Sequence, residues 1–147
     1  MKLKMNRQTT FSQSFPIKGG DFANAGTVSV KIKNILKDIG VKPDIVYRIS
    51  ICCYEAEMNV VMYADEGILD FSITPENITV DVNDKGNGIE NLELAIQEGY
   101  STATDSMREM GFGAGMGLPN IKKNADEFSI ESELSKGTKL HFKVYLN

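Results

Sequence analysis

Metal-binding and cross-linking residues are scarce in this sequence. Its 147 residues include one histidine, His141, and two cysteines, Cys52 and Cys53, which are neighbours. A single imidazole with no Cys-x-x-Cys or Cys-x-x-His spacing argues against a zinc centre. Adjacent cysteines rarely reach disulfide geometry, so two thiols in an apolar stretch suit a reducing compartment. The 16 basic side chains form no run or patch against 20 acidic ones, which argues against a nucleic-acid partner. No apolar run approaches the roughly 20 residues of a membrane helix. The N-terminal MKLKMNRQTTF carries basic residues with no apolar segment behind them, unlike a signal peptide. The expected location is cytoplasmic. Internal repeats and low-complexity segments are also missing. The length suits one domain, spanning 1–147, able to bury roughly 70% of its unfolded surface.

What is present is ordinary globular material, 41% hydrophobic and 24% charged. Residues 8–17 partly alternate and predict a first strand, closed by Gly19-Gly20. Asp21 is positioned to cap a helix over 22–39, which ends at Gly40. Pro43 and Asp44 open a second helix that runs to about Ala64 and stops at Gly67. ILDFSIT and ENITVDVND alternate around Pro75 and predict an antiparallel hairpin with one covered face. A short helix is expected near 90–97, then a polar stretch from Glu98 to Gly117, then a brief helix over 118–124. EFSIESEL and TKLHFKVYL close the chain as a hairpin through Ser135-Lys136-Gly137. Paired strands without strict β-α-β alternation give an α+β fold, a two-layer sandwich with helices on one face of a mixed or antiparallel sheet.

Four local patterns carry chemistry. Glu55 and Asn59 lie four apart on one face of the second helix, amid apolar neighbours. They read either as a helix edge meeting water or as a carboxylate near a reacting atom with an amide oxygen for a metal. Glu57 falls on a different face and reads as solvated, and Asp65 and Glu66 as an exposed helix end. Asp84, Gly86 and Gly88 form D-x-G-x-G after a strand. That is a tight turn, or a carboxylate accepting from a ligand amine with glycines giving close backbone approach. GFGAGMG, residues 111–117, lacks the preceding strand of a dinucleotide fingerprint and the Gly-Lys-Ser/Thr of a Walker loop. What survives is a loop whose last glycine leads into a helix, presenting N–H groups to an anion. Lys136-Gly137-Thr138 reads, by itself, as a hairpin turn.

In their order, these four patterns resemble the four boxes of the GHKL ATPase superfamily, which includes gyrase and the histidine kinases. The resemblance spans about residues 45–146. EGYSTA, GMGLP and DEFSIESELSKGT are similar to the anti-sigma-factor serine/threonine kinases of bacterial partner-switching modules, above all to the switch-kinase type. The resemblance implies a Bergerat-type ATP-binding fold using ATP and Mg²⁺. Asn59 would bind the Mg²⁺ that bridges the phosphates, and Glu55 would be the general base. Asp84 would accept from the adenine amine with Thr138 in support, and Gly86 and Gly88 would allow close approach to the base and sugar. Gly111, Gly113, Gly115, Met116 and Gly117 would form a lid over the triphosphate, with Leu118 opening a helix beside it. The stretch between Ser101 and Gly111 is longer than in the switch kinases. It contains Arg108, read as a γ-phosphate contact or a solvated loop charge. Tyr63 replaces the His, or neighbouring Lys, that often ends the second-helix box.

The implied activity is phosphorylation of a Ser or Thr on a STAS-type antagonist protein, with a sigma factor or a phosphatase as the alternative target. Anti-sigma kinases of this group often form homodimers. The alternative is a module whose lid closes on ATP to expose a protein-binding face, with no phosphoryl transfer. A phosphohistidine mechanism is disfavoured, because His141 falls in an expected strand and no helical dimerisation segment accompanies it.

Overall fold

The computed structural model describes residues 11–89, 91–99, 101, 103–105 and 116–147. Strand β1 (Phe11–Lys18) leads through a 3-10 turn (Phe22–Asn24) into helices α1 (Thr27–Asp38) and α2 (Pro43–Tyr63). Strands β2 (Ala64–Ile73) and β3 (Asn77–Gly86), a single helical turn α3 (Leu92–Ala95) and helix α4 (Gly117–Asn124) follow. Strands β4 (Glu127–Glu133) and β5 (Gly137–Tyr145) complete the sheet. The spatial order is β1-β2-β3-β5-β4, and every neighbouring pair is antiparallel. The expected α+β class therefore stands, with the sheet antiparallel throughout.

Alternation along the strands makes the two faces of the sheet different. Leu69, Phe71 and Ile73 of β2 are buried, as are Ile78, Val80 and Val82 of β3 and Leu140, Phe142 and Val144 of β5. They meet Ile45, Ile49, Cys52, Cys53, Ala56 and Val60 of α2 in one hydrophobic core. The intervening residues point the other way and are polar. On that outer face Asp81 accepts or shares a hydrogen bond with His141 Nδ1 at 2.8 Å, and Ser14 donates to Asp70. Both cysteines are buried free thiols, and burial drives both thiol pKa values up, Cys52 to about 12. Neither is a thiolate near neutral pH.

Helix α2 starts as its sequence dictates, with Pro43 in the first turn, where no N–H is needed, and Asp44 beside the positive helix end. Its other end differs from expectation. The helix stops at Tyr63, Ala64 turns extended, and β2 begins at once. Gly67 is therefore inside β2, and Asp65 and Glu66 belong to the strand. The reason for the glycine is packing. A Cβ there would lie 3.0 Å from both methyls of Val60 and 3.2 Å from Asp84 Cβ, so a side chain would push α2 off the sheet.

Helix α1 is shorter at its start than expected, beginning at Thr27, with residues 22–24 as a separate 3-10 turn. Asp21 does not cap it; its carboxylate accepts from the Asn24 side chain instead. The cap comes from α2. Glu57, expected to be solvated, is only 2% exposed. Its Oε2 accepts from the N–H groups of Gly26 (3.0 Å) and Val28 (3.2 Å), and its Oε1 from that of Ser29 (2.9 Å). A helix N-terminus leaves N–H groups without partners and carries partial positive charge, so a buried carboxylate is stable there. The periodicity of α2 placed Glu57 away from Glu55 correctly, but that face is covered by α1.

Candidate functional site

Glu55 and Asn59 project, half-buried, from the face of α2 that turns toward α4. Helix α4 is fastened along that face. Leu118, Pro119 and Ile121 are buried against it, with Pro119 tolerated because it lies in the first turn. At the far end, Arg48 Nε donates to Asn124 O at 2.8 Å, and its guanidinium pairs with Asp126 at 3.0 Å. These contacts bring the N-terminus of α4 to the polar pair. A Cβ added to Gly117 would stand 3.5 Å from Glu55 Oε1 and 3.6 Å from Asn59 Oδ1, ordinary contact distances. Asn120 Nδ2 donates to Glu55 Oε2 at 2.9 Å. Among the described residues Glu55 Oε1 and the Asn59 amide have no hydrogen-bond partner. A carboxylate oxygen, an amide oxygen and the start of a helix thus converge on one space.

The D-x-G-x-G turn is held from the opposite strand pair. Asp84 Oδ1 accepts from the Thr138 N–H at 3.0 Å. Partial burial raises the Asp84 pKa, and the Thr138 bond opposes that rise. Gly137, at φ +115°, passes so close that a Cβ would sit 2.1 Å from Asp84 O. Gly88, at φ +79°, lies equally tight against Glu133 O, at 2.4 Å. Only glycine suits either position. Ser132 ties the two turns together. Its hydroxyl accepts from Ile89 N–H at 2.7 Å and shares a 2.8 Å hydrogen bond with Thr138 Oγ1. The Ser135 N–H donates to Asn87 O at 2.8 Å. Gly137-Thr138 is thus the support of Asp84 as well as part of a hairpin turn.

Gly67 joins the two halves, since it sits between Val60, next to Asn59, and Asp84. The residues expected in the site fall into four groups. Glu55, Asn59 and Gly117 come together on one side, and Asp84, Gly86, Gly88 and Thr138 on the other. Met116 precedes α4, and its carbonyl accepts the Asn120 N–H at 2.8 Å, while the Leu118 side chain is buried. Arg108, Gly111, Gly113 and Gly115 lie outside the described residues. Two participants were missed in the sequence, Asn120 and Ser132. A polar residue between buried Leu118 and Ile121 was the available signal for Asn120; Ser132 gave none beyond its alternation in β4. A shallow pocket of about 420 Å³ adjoins the D-x-G-x-G turn between Gly20, Phe22, Tyr63 and Asn87.

No three His, Cys, Asp or Glu side chains cluster as a metal site among the described residues. Mg²⁺ does not require one. It takes one or two protein oxygens and completes its shell with phosphates and water, and the unpartnered Asn59 amide oxygen suits that role. No helix among the described residues is long and apolar enough to cross a membrane.

Comparison with known proteins accords with this arrangement. The family model described as "Histidine kinase-like ATPase domain" matches residues 21–144. The chain is 27% identical over 112 residues to the serine/threonine-protein kinase RsbT of Bacillus subtilis, covering 74% of this chain and 78% of that one. It is 34% identical over 97 residues to the anti-sigma F factor of Caldanaerobacter subterraneus, covering 63% and 64%. The same fold occurs in the SiaB–SiaC complex of Pseudomonas aeruginosa, with TM-score 0.61 at 14% identity over 95% of this chain and 92% of that one. It occurs again in a Mycobacterium tuberculosis structure of RsbU and RsbW domains, with TM-score 0.58 at 16% identity over 90% and 32%. The chain belongs to the histidine kinase-like ATPase domain family.

Proposed function

We propose that this protein is an ATP-dependent serine/threonine kinase of a bacterial partner-switching module. Its substrate would be a STAS-type antagonist protein, and its alternative target a sigma factor or a phosphatase. The observation that carries this reading is the pairing of Glu55 with Asn59 at the start of α4, with Glu55 Oε1 unengaged among the described residues. The kinase and anti-sigma relatives support it.

Asn59 would hold Mg²⁺ through its amide oxygen, and Mg-ATP, when bound, supplies the phosphoryl group and neutralises phosphate charge. Gly117 and the first turn of α4 would turn backbone N–H groups toward the phosphates. Asp84 would accept from the adenine amine, with Thr138 fixing its other contact. Gly86 and Gly88 keep that edge of the site free of side chains. Gly111, Gly113, Gly115 and Arg108 would complete the phosphate side. A serine hydroxyl is a weak nucleophile, so a positioned base contributes. Glu55 Oε1 would take the hydroxyl proton as the new O–P bond forms and the bond from the γ-phosphorus to the bridging oxygen breaks, leaving ADP. A phosphate on the antagonist would then disrupt its packed interface through charge and desolvation.

The test is transfer from γ-labelled ATP to a purified STAS-domain protein. The wild type should label a Ser or Thr. Glu55→Ala should cut labelling by roughly 10²- to 10⁴-fold while ATP still binds. Normal transfer by Glu55→Ala would remove Glu55 as the base.

A further inference from the structure

We infer that Asn120 is a positioning residue for the Glu55 carboxylate, an inference that rests on the kinase reading above. Glu55 has three rotatable side-chain bonds and is only half-buried, so helix position alone does not fix where its oxygens point. The N–H groups that open α4 have no intrahelical partners, and a loose carboxylate beside them would turn onto them. That would occupy both the base and the donors that face phosphate. The 2.9 Å bond from Asn120 Nδ2 to Oε2 prevents it by engaging one oxygen and leaving Oε1 for the substrate hydroxyl.

Asn120 can perform this service because it is itself held in place. Its N–H donates to Met116 O at 2.8 Å, and its carbonyl accepts from Asn124 Nδ2 at 2.9 Å. Buried Leu118 and Ile121 fix its helix on α2, and Arg48 holds the helix end through Asn124 O. The residue type matters as well. A lysine or arginine here would pair with Glu55 as a full ion pair and draw the carboxylate's charge away from a proton. A neutral amide donor orients the carboxylate without neutralising it.

Single-turnover transfer from labelled ATP to a STAS-domain protein, with ATP affinity and thermal melting measured alongside, tests the inference. Asn120→Ala should lower the transfer rate roughly tenfold or more, the scale on which misplaced catalytic groups are felt. ATP affinity should stay within about twofold and the melting temperature within about 3 °C, since one part-exposed hydrogen bond is lost. Asn120→Gln, which keeps the donor, should recover part of the rate. Asn120→Asp, of the same shape without the donor, should lose more than Asn120→Ala. In a Glu55→Ala background Asn120→Ala should cause no further loss. An unchanged rate in Asn120→Ala, an equal loss in both backgrounds, or a loss confined to ATP affinity would overturn the inference. If Glu55→Ala is inactive while Asn120→Ala is fully active, only the role of Asn120 fails. If Glu55→Ala transfers normally, the base assignment itself fails.

Discussion

Two glutamates of one helix, two residues apart, have opposite surroundings. Glu57 faces α1 and accepts three backbone N–H bonds at a helix start, sealed from solvent. Glu55 faces α4, also at a helix start, but among the described residues it accepts one bond, from a side-chain amide, and keeps an oxygen open. Both lie against a helix N-terminus, so proximity to one does not distinguish structure from chemistry. Saturation does. A carboxylate with every oxygen engaged by immovable donors holds two helices together and has nothing left to accept a proton. A carboxylate with one anchored oxygen and one open oxygen is oriented and still reactive.

This contrast can be broken by mutation. The largest effect is expected from Glu55→Ala, which should cut phosphoryl transfer by roughly 10²- to 10⁴-fold, the usual contribution of a general base. Its melting temperature should barely move, because the side chain is only half-buried and, among the described residues, makes one part-buried hydrogen bond. Glu57→Ala should do the reverse. Unfolding in urea should show a loss of about 3 kcal/mol or more, as three backbone donors, two of them buried, lose a charged acceptor. If Glu57→Ala proves as stable as wild type, the contrast drawn here is wrong. Ser29→Ala is milder. It removes only the 2.9 Å bond from the hydroxyl to Gly26 O at the same helix start and should cost about 1 kcal/mol in the same titration.

Asp84 sharpens the comparison from a third position. Its pKa is raised by burial, so the folded state holds its proton more tightly than the unfolded chain does. The stability this confers is present below the ordinary aspartate value of 3.8 and is lost as pH rises through the folded value. At neutral pH the ionised group therefore works against folding. Asp84→Asn should melt no lower than wild type near pH 7 in the absence of nucleotide, with the difference closing as the pH approaches 3.8. ATP affinity, measured by calorimetry, should fall sharply. A residue retained at some expense to stability is what a binding role produces.

The parts of this fold that were readable in the sequence are those set by near neighbours. Pro43 and Asp44 announced α2, and alternation around Pro75 announced β2 and β3. The spacing of Glu55 and Asn59 placed both on one helical face. What was not readable depends on distant partners. Gly67 looked like a helix stop because glycine often is one; its actual neighbour is Val60, pressed against it by packing of α2 on the sheet. Glu57 looked solvated because nothing in α2 says that the start of α1, about 30 residues earlier, lies over it. Asn120 and Glu55 are 65 positions apart. The hydrogen bond between them exists only because α4 returns to α2, which no local pattern encodes.

The fastening of α4 has a mechanical consequence. The helix is eight residues long, about 12 Å at the usual rise. Arg48 grips one end, and Asn120 meets Glu55 in the half nearer the other. Displacement of such a rod grows with distance from the end that Arg48 holds, and buried Leu118 and Ile121 are what oppose it. A tilt of about 10° about the Arg48 end would carry the first residue roughly 2 Å, enough to part a hydrogen bond. Helix α4 is thus built as a pointer, and the orientation of Glu55 is the scale it reads against.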